Sequence, residues 1–220
     1  MRQEFLNEVK GQSLKLFISG YGQDPTPFRA LCGETTVAML YDYESLDCDL
    51  ALYENFTNIE IIAWSIGVML TPYLVDKSKL RSKITKAIAV NGTPDGIVFK
   101  DGEIGLEQKL WYLSYENMDS RAQAQFISAM LGRDPTFYME NLPQRSALSC
   151  KAELLALYEF KRQQQERPCF NYDVAYIGTR DKIFPPAILR QAFSDTATAI
   201  IKGPWAHFDK ELFSKLLGSC

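Results

Sequence analysis

Histidine is almost missing from this sequence, which has one, His207, among 220 residues. A metal site built from several imidazoles is therefore excluded. Cysteine is scarce and scattered, because the five residues are odd in number and no two have the C-x-x-C spacing of zinc and redox motifs. We therefore expect no metal and no cofactor, in a reducing compartment such as the cytoplasm. The cysteines are Cys32, Cys48, Cys150, Cys169 and Cys220.

A strong charge of one sign is missing as well. The net charge is −3 at pH 7, so we expect no field that would attract nucleic acid or a membrane surface. No apolar run reaches the roughly 20 residues that span a bilayer, and the first residues, MRQEF, do not begin a signal peptide. We expect a cytoplasmic monomer that binds neither nucleic acid nor a membrane.

The sequence does contain enough apolar residues, 46% of the chain, to build one large core with or without an inserted lid. Short strand-like runs at 14–18, 36–41, 58–63, 87–90, 174–178 and 198–201 alternate with helical segments. This rhythm predicts an α/β fold with a mostly parallel sheet flanked by helices. Between 103 and 167 the strand-like runs stop and apolar residues recur at helical spacing. We predict a core of residues 1–102 and 168–220 and a helical lid of residues 103–167.

The stretch 58–67, NIEIIAWSIG, changes character at Ser65. A β-branched run turns abruptly there and continues with apolar residues at helical spacing. A serine at such a corner fits the nucleophile elbow G-x-S-x-G, in which the flanking positions must be small. Gly67 meets this requirement, and Ala63 departs from it by one methyl group. The alternative is that Ser65 caps an ordinary buried helix.

An acid and a base follow later strands, in the order that a catalytic triad on this fold requires. Asp181 comes shortly after the run 174–178, and His207 comes shortly after the last run. The carboxyl ends of parallel strands open on one edge of the sheet, so Ser65, Asp181 and His207 can converge there. Taken singly, Asp181 could be a surface turn residue and His207 a packing residue. Their joint placement favours the triad, with serine as nucleophile and histidine as general base.

The first convincing strand runs into Gly20-Tyr21-Gly22. Two glycines spaced by one residue let the backbone approach a bound group closely, although they also mark plain tight turns. We predict that the backbone N–H groups of Tyr21 and Ile66 form an oxyanion hole, where one donor can contribute about 3 kcal/mol.

Five segments together resemble one family. They are FISGYG at 17–22, YDY at 41–43, AWSIG at 63–67, NGTP at 91–94 and G-x-x-D at 178–181. The chain is similar over most of its length to the BioG type of pimeloyl-[acyl-carrier protein] methyl ester esterase. The resemblance implies the α/β-hydrolase fold, with Ser65, Asp181 and His207 in the catalytic places. It also implies hydrolysis of the pimeloyl methyl ester in biotin formation. Ser19 stands where many relatives of the wider fold carry the histidine of an H-G-x-G loop.

The resemblance also suggests where a carrier-bound acyl chain would lie. Aromatic residues would cover its methylene groups, or else simply form the core of the lid; the candidates are Trp64, Trp111, Tyr115 and Phe126. Acyl carrier protein, the implied partner, is acidic, so a basic docking face is expected. We favour basic residues of the lid, namely Arg145, Lys151, Lys161 and Arg162, with Arg167 beside them. A second run lies toward the amino end of a strand, away from the chemistry: Lys77, Lys79, Arg81, Lys83 and Lys86. Either set could instead be a solvated charged face.

Two other functions remain open. The first is another small-ester carboxylesterase or thioesterase of the same fold. The second is a binding module without catalysis, against which the intact serine, aspartate and histidine argue.

Overall fold

The chain folds around one central sheet in a computed structural model that describes residues 1–76, 78–132, 135–164, 166–196 and 198–218. The described strands, in chain order, are β1 (Arg2–Asn7), β2 (Ser13–Ile18), β3 (Thr36–Tyr41), β4 (Asn58–Trp64), β5 (Ile84–Val90), β6 (Gly96–Val98), β7 (Gly105–Glu107), β8 (Val174–Gly178) and β9 (Ala199–Gly203). Seven of them form the central sheet in the order β1-β3-β2-β4-β5-β8-β9. Strand β1 is antiparallel to β3, and the other neighbours are parallel. The predicted mostly parallel sheet is confirmed.

Helices fill the connections between the strands. The described α-helices are α1 (Gly67–Asp76), α2 (Gln108–Glu116), α3 (Ser120–Leu131), α4 (Thr136–Glu140), α5 (Ala147–Gln163), α6 (Pro186–Phe193) and α7 (Lys210–Leu217). Short 3-10 turns cover Arg29–Leu31, Leu50–Tyr53 and Lys79–Lys83. Within the described ranges, no helix has both the length and the apolar character needed to cross a membrane.

The sheet is buried on both faces, as parallel sheets usually are. Alternate residues of a strand point to opposite faces, so β4 supplies Ile61 to one core cluster and Ile62 to the other. The first cluster contains α1 and parts of α2 and α5, and the second contains α7. All six residues of β3 are buried, which explains why its sequence is a continuous apolar run rather than an alternating one.

The helices α2 to α5 occupy the region where the sequence predicts a lid. Helices α2 and α5 pack together, and the Trp111 indole Nε1 donates a hydrogen bond to the Leu154 carbonyl at 2.9 Å. The short strands β6 and β7, which were not predicted from the sequence, pair with each other in a separate parallel ladder just before α2. The division into a core and a lid domain stays a prediction.

Candidate active site

The chain makes a strained corner at Ser65, between the end of β4 and the start of α1. Its φ of +57° lies in the left-handed region, which costs a non-glycine residue of the order of 1–3 kcal/mol. A Cβ added to Gly67 would lie 2.3 Å from the Ile18 carbonyl oxygen, so only glycine fits there. The Ser65 hydroxyl pairs with His207 instead of capping the helix. This is the geometry of a nucleophile elbow.

Ser65, His207 and Asp181 lie in one hydrogen-bonded line. Ser65 Oγ is 2.9 Å from His207 Nε2, and His207 Nδ1 is 2.8 Å from Asp181 Oδ2. All three side chains are buried. With the Nδ1 proton donated to the carboxylate, Nε2 is free to accept the serine proton. The structure therefore brings the three predicted catalytic residues together.

The other carboxylate oxygen of Asp181 is held by its own loop. Asp181 Oδ1 accepts hydrogen bonds from the backbone N–H groups of Ile183 at 2.7 Å and Phe184 at 2.9 Å. The Phe184 ring stacks on the imidazole, with an interplanar angle of 12°. These contacts fix the orientation of the carboxylate and of the ring that it faces.

The loop that carries His207 is tied to two neighbouring strands. Asn91 Nδ2 donates to the carbonyls of Ala206 at 2.8 Å and His207 at 3.0 Å, and Asn91 Oδ1 accepts from the Gly178 N–H at 2.7 Å. Trp64 Nε1 also donates to the His207 carbonyl, at 3.0 Å. Asn91 had no role predicted from the sequence, where the available signal was an asparagine-glycine pair directly after a strand.

Trp64 does not line the substrate side, so the prediction that placed it in the pocket is wrong. It is 1% exposed and packs in the core with Phe28, Phe208 and Phe213, at ring-centroid distances of 5.9, 6.1 and 5.1 Å. The reason is the two-residue period of a strand: Trp64 shares the face of Ile62 and not that of Ala63.

The loop that was predicted to carry an oxyanion donor passes directly beside Ser65. A Cβ added to Gly20 would lie 3.1 Å from Ser65 Cβ. Among the described residues, no acceptor is paired with the N–H of Tyr21 or of Ile66. The Tyr43 hydroxyl anchors the start of this loop by donating to the Ser19 carbonyl at 2.9 Å. Within the described part of the chain, both predicted donor N–H groups are therefore unoccupied, and the oxyanion hole stays a prediction.

A cavity of about 450 Å³ opens at Ser65, within the usual range for small-molecule sites. Two predicted aromatics, Trp111 and Phe126, line it. Tyr115 packs against the core beneath Lys151, whose ammonium lies 5.3 Å from the ring centre. Among the described lining residues, Lys182 is the one with a charged side chain. The described lining is Tyr21, Ser65, Leu106, Leu110, Trp111, Ser114, Asn117, Met118, Ala122, Gln125, Phe126, Ala129, Leu154, Lys182, Ile183 and Phe184.

Two of the predicted docking residues are buried, so their assignment to a docking face is wrong. The Arg145 side chain is 6% exposed and pairs with Asp42 at 2.9 Å, and the Lys161 side chain is 4% exposed and pairs with Glu103 at 2.7 Å. A charge that is desolvated and neutralised in this way cannot meet a partner.

The other lid cations reach the surface. Lys151 donates to the Glu116 carbonyl, Arg162 pairs with Glu159 on the same helix, and Arg167 pairs with Asp95 at 2.6 Å. In the second basic run, Lys77 lies outside the described residues. The rest of that run interacts with nearby acceptors: Lys79 and Lys83 with Glu54, Arg81 with Asp76, and Lys86 with Glu60.

The fold and the Ser65–His207–Asp181 arrangement define an α/β hydrolase. Solved structures share the fold. BioG from Haemophilus influenzae superimposes with a TM-score of 0.81 over 97% of both chains at 24% identity. An esterase, EaEST, from Exiguobacterium antarcticum superimposes with a TM-score of 0.69 over 98% of this chain and 92% of its own, at 14% identity.

A family model described as "Pimeloyl-ACP methyl esterase BioG" matches residues 1–216. The chain belongs to this family. It is also 33% identical, over 207 residues, to a malonyl-[acyl-carrier protein] O-methyltransferase of Bacteroides fragilis. The matched region is 92% of this chain but 41% of that relative's length.

Proposed function

We propose that this chain hydrolyses the methyl ester of pimeloyl-[acyl-carrier protein], releasing methanol and the free ω-carboxylate for biotin formation. The observation that carries the proposal is the continuous Ser65–His207–Asp181 line at the mouth of a largely apolar cavity, in a chain of the BioG family.

The reaction begins with attack of Ser65 Oγ on the ester carbonyl carbon while His207 Nε2 takes the serine proton. Negative charge develops on the carbonyl oxygen, and the N–H groups of Tyr21 and Ile66 donate hydrogen bonds to it. The carbon–oxygen bond to the methoxy group then breaks, and His207 returns its proton to that oxygen. Methanol leaves, and the acyl group remains on Ser65.

The second half of the reaction repeats the same proton transfers with water. His207 takes a proton from water as its oxygen attacks the acyl-enzyme, and then returns the proton to Ser65 Oγ when the free acid leaves. Asp181 holds the imidazole in the tautomer that leaves Nε2 unprotonated. Its carboxylate also stabilises the imidazolium that forms in each half.

The cavity suits an apolar acyl chain of medium length better than a chain that carries charge. The aliphatic and aromatic lining groups can bury the five methylenes of a pimeloyl group, each worth about 0.8 kcal/mol. Trp111 and Phe126 stand on the lid side of this cavity. A thioesterase or another small-ester carboxylesterase could use the same machinery. A carrier-bound ester with a far higher kcat/KM than a short free ester would separate the proposed activity from these rivals.

We propose that the carrier protein docks on Lys182 and on the cations of α5 that reach the surface. Lys182 lines the cavity itself, and Lys151 and Arg162 lie on α5. Attraction of an acidic carrier by such charges raises the association rate, especially at low salt. The double change Lys151→Glu and Arg162→Glu, at two residues outside the described cavity lining, should lower kcat/KM for the carrier-bound ester at low salt and leave a free aryl ester unaffected. Lys79→Glu, at the amino end of β5, is the matched control; equal effects of both changes would remove this docking face.

The proposed setting is a reducing cytoplasm, in which Cys32, Cys48, Cys150 and Cys169 stay free, as they are in the structure. Cys220 lies outside the described residues. A monomer is proposed because a single chain supplies Ser65, His207 and Asp181 together with the cavity.

The deciding experiment is demethylation of pimeloyl-[acyl-carrier protein] methyl ester by the wild type and by Ser65→Ala. The wild type should release the free acid, and the variant should be slower by about 10⁴-fold or more. A wild type that cleaves aryl esters through Ser65 but leaves this ester intact would remove the biotin assignment. A wild type whose Ser65 does not react with a fluorophosphonate would instead favour the non-catalytic binding module.

A further inference from the structure

A carboxylate from the lid lies buried directly behind the loop that carries Tyr21. Glu153 of α5 is 0% exposed. Its Oε2 accepts a hydrogen bond from the Gly22 N–H at 3.2 Å, and its Oε1 accepts one from the Tyr43 N–H at 3.3 Å. The hydrolytic steps described above do not use Glu153. A buried charge of this kind is costly unless it is paired, so its place beside the catalytic loop needs an explanation.

Arg145 extends the contact between the lid and this loop. Its Nη2 lies 3.2 Å from Glu153 Oε2 and 2.9 Å from Asp42 Oδ1, and its Nη1 donates to the Gln23 carbonyl at 3.2 Å. Asp42, like Ser65, has a positive φ, of +58°. The guanidinium therefore joins the backbone next to Gly22 to the end of β3.

Gln23 adds a further connection from the lid to the same loop. Its amide Nε2 donates to the Tyr21 carbonyl at 3.2 Å, and its Oε1 accepts from the Tyr138 hydroxyl of α4 at 2.8 Å. The Tyr21 carbonyl and the Gly22 N–H belong to one peptide plane. Both of its polar groups are thus held, one by Gln23 and the other by Glu153.

We propose that Glu153 is a positioning residue for the oxyanion hole. By holding the Tyr21–Gly22 peptide plane, it limits rotation about the Tyr21 backbone and so keeps the Tyr21 N–H directed at the developing oxyanion. It also links α5 to the catalytic loop, so that a displaced lid would loosen the hole. The inference rests on the proposed function only in that Ser65 is the nucleophile, and it holds for any ester substrate.

The charge state of Glu153 gives this role a measurable signature. Burial raises the pKa of Glu153 to about 7, although Arg145 and the two N–H donors oppose the shift. The ionised form offers a strong acceptor to both N–H groups, whereas protonation turns one oxygen into a hydroxyl that donates a hydrogen bond and accepts only weakly. Among the described residues, the titratable groups that interact with this carboxylate or its Arg145 partner are Arg145, Asp42, Glu44, Tyr21, Tyr43, Cys150 and the amino group of Met1.

The first test is Glu153→Gln, which mimics the protonated form at every pH. With a p-nitrophenyl ester at pH 8 we expect kcat to fall by roughly tenfold with KM unchanged, since a misdirected donor weakens transition-state stabilisation alone. The ratio of wild-type to variant kcat should shrink toward one between pH 8 and pH 6, as the wild type gains its proton. Glu159→Gln, on the exposed side of the same helix, should leave kcat unchanged.

Other results would overturn the role. If the ratio of wild-type to variant kcat stays constant with pH, Glu153 supports the fold only. The same conclusion follows if the substitution raises KM and leaves kcat unchanged. If Glu153→Gln does not fold, the wild type decides: the Gly22 amide proton should shift with a midpoint near pH 7, and a Gly22 amide that does not titrate refutes the contact. A wild type inert on every ester would count against the proposed function, and the Gly22 titration would still test Glu153.

Discussion

Asn91 is the residue whose loss should damage the site most without touching a reacting atom. Its side chain makes three buried hydrogen bonds, to the carbonyls of Ala206 and His207 and from the N–H of Gly178. Its φ is +45°, a conformation that asparagine tolerates and alanine does not. Asn91→Gly therefore removes the hydrogen bonds without adding backbone strain, and Asn91→Ala adds that strain.

The size of the effect follows from these contacts. Three buried hydrogen bonds at about 1 kcal/mol each amount to about 3 kcal/mol. For a domain of this size, that corresponds to a fall in Tm of about 6–12 °C. Asn91→Ala should lose about 1–2 kcal/mol more, the cost of a left-handed conformation for a residue with a Cβ. The His207 carbonyl would keep only its bond from Trp64, so the imidazole should move relative to Ser65.

The assay combines thermal unfolding with hydrolysis of a p-nitrophenyl ester. We expect Asn91→Gly to lower kcat by tenfold or more, because a general base must stay within hydrogen-bond reach of its proton. Trp64→Phe is the matched control: it removes one of the two donors to the His207 carbonyl and should cost only a few-fold in kcat. A kcat for Asn91→Gly within twofold of the wild type at 20 °C, despite the lower Tm, would refute a positioning role for Asn91.

The remaining predictions concern the elbow, the lid and the pH dependence of stability. Gly67→Ala should lower both Tm and kcat in an unfolding and hydrolysis assay, since the new methyl would lie 2.3 Å from the Ile18 carbonyl oxygen. Lys161→Met should destabilise the fold by about 2 kcal/mol, because Glu103 loses its cation and, among the described residues, keeps only the backbone N–H donors of Phe99 and Lys100. The kcat/KM for a carrier-bound ester should stay unchanged at temperatures where the variant is folded. Burial raises the pKa of Glu153 from 4.5 to about 7, so its favourable contribution is complete below pH 4.5 and is lost as the pH rises through 7. The Tm of Glu153→Gln relative to the wild type should therefore rise between pH 5 and pH 8, and a constant difference would contradict the shift.

The parallel part of the sheet could be predicted from the sequence because its central strands are largely continuous apolar runs, and buried parallel strands require such runs. Ser65, Asp181 and His207 could be predicted for a related reason: each follows a strand, and strand ends meet at one edge of the sheet. The prediction for Trp64 was wrong because the face of the sheet to which this side chain points changes with each residue along β4. The short strands β6 and β7 contain too few residues to form a pattern.

The buried ion pairs could not be predicted in the same way. Arg145 meets Asp42 and Glu153, and Lys161 meets Glu103, across long stretches of chain. A basic residue in a helical segment has the same sequence signature whether it faces solvent or a buried carboxylate. Only the packing of α5 against the loops after β2 and β3 separates the two cases, and that packing depends on the whole fold. Among the predicted docking residues, the prediction was therefore wrong for Arg145 and Lys161, whose charged side chains are buried.

The register of the sheet explains why the site forms where it does. Trp64 of β4 lies opposite Val90 of β5, and Val90 lies opposite Tyr176 of β8. The residues after β4 and β5 continue this ladder, because the Ser65 N–H donates to the Val90 carbonyl at 2.9 Å and the Asn91 N–H donates to the Tyr176 carbonyl at 3.0 Å.

Backbone hydrogen bonds alone therefore place Ser65 and Asn91 side by side at the ends of neighbouring strands. No side-chain contact is needed for this placement. A slip of one residue between β4 and β5 would turn every side chain to the opposite face and separate Ser65 from Asn91. The close packing of these strands in the two core clusters opposes that slip. The residues that set the core therefore also set the distance between Ser65 and His207.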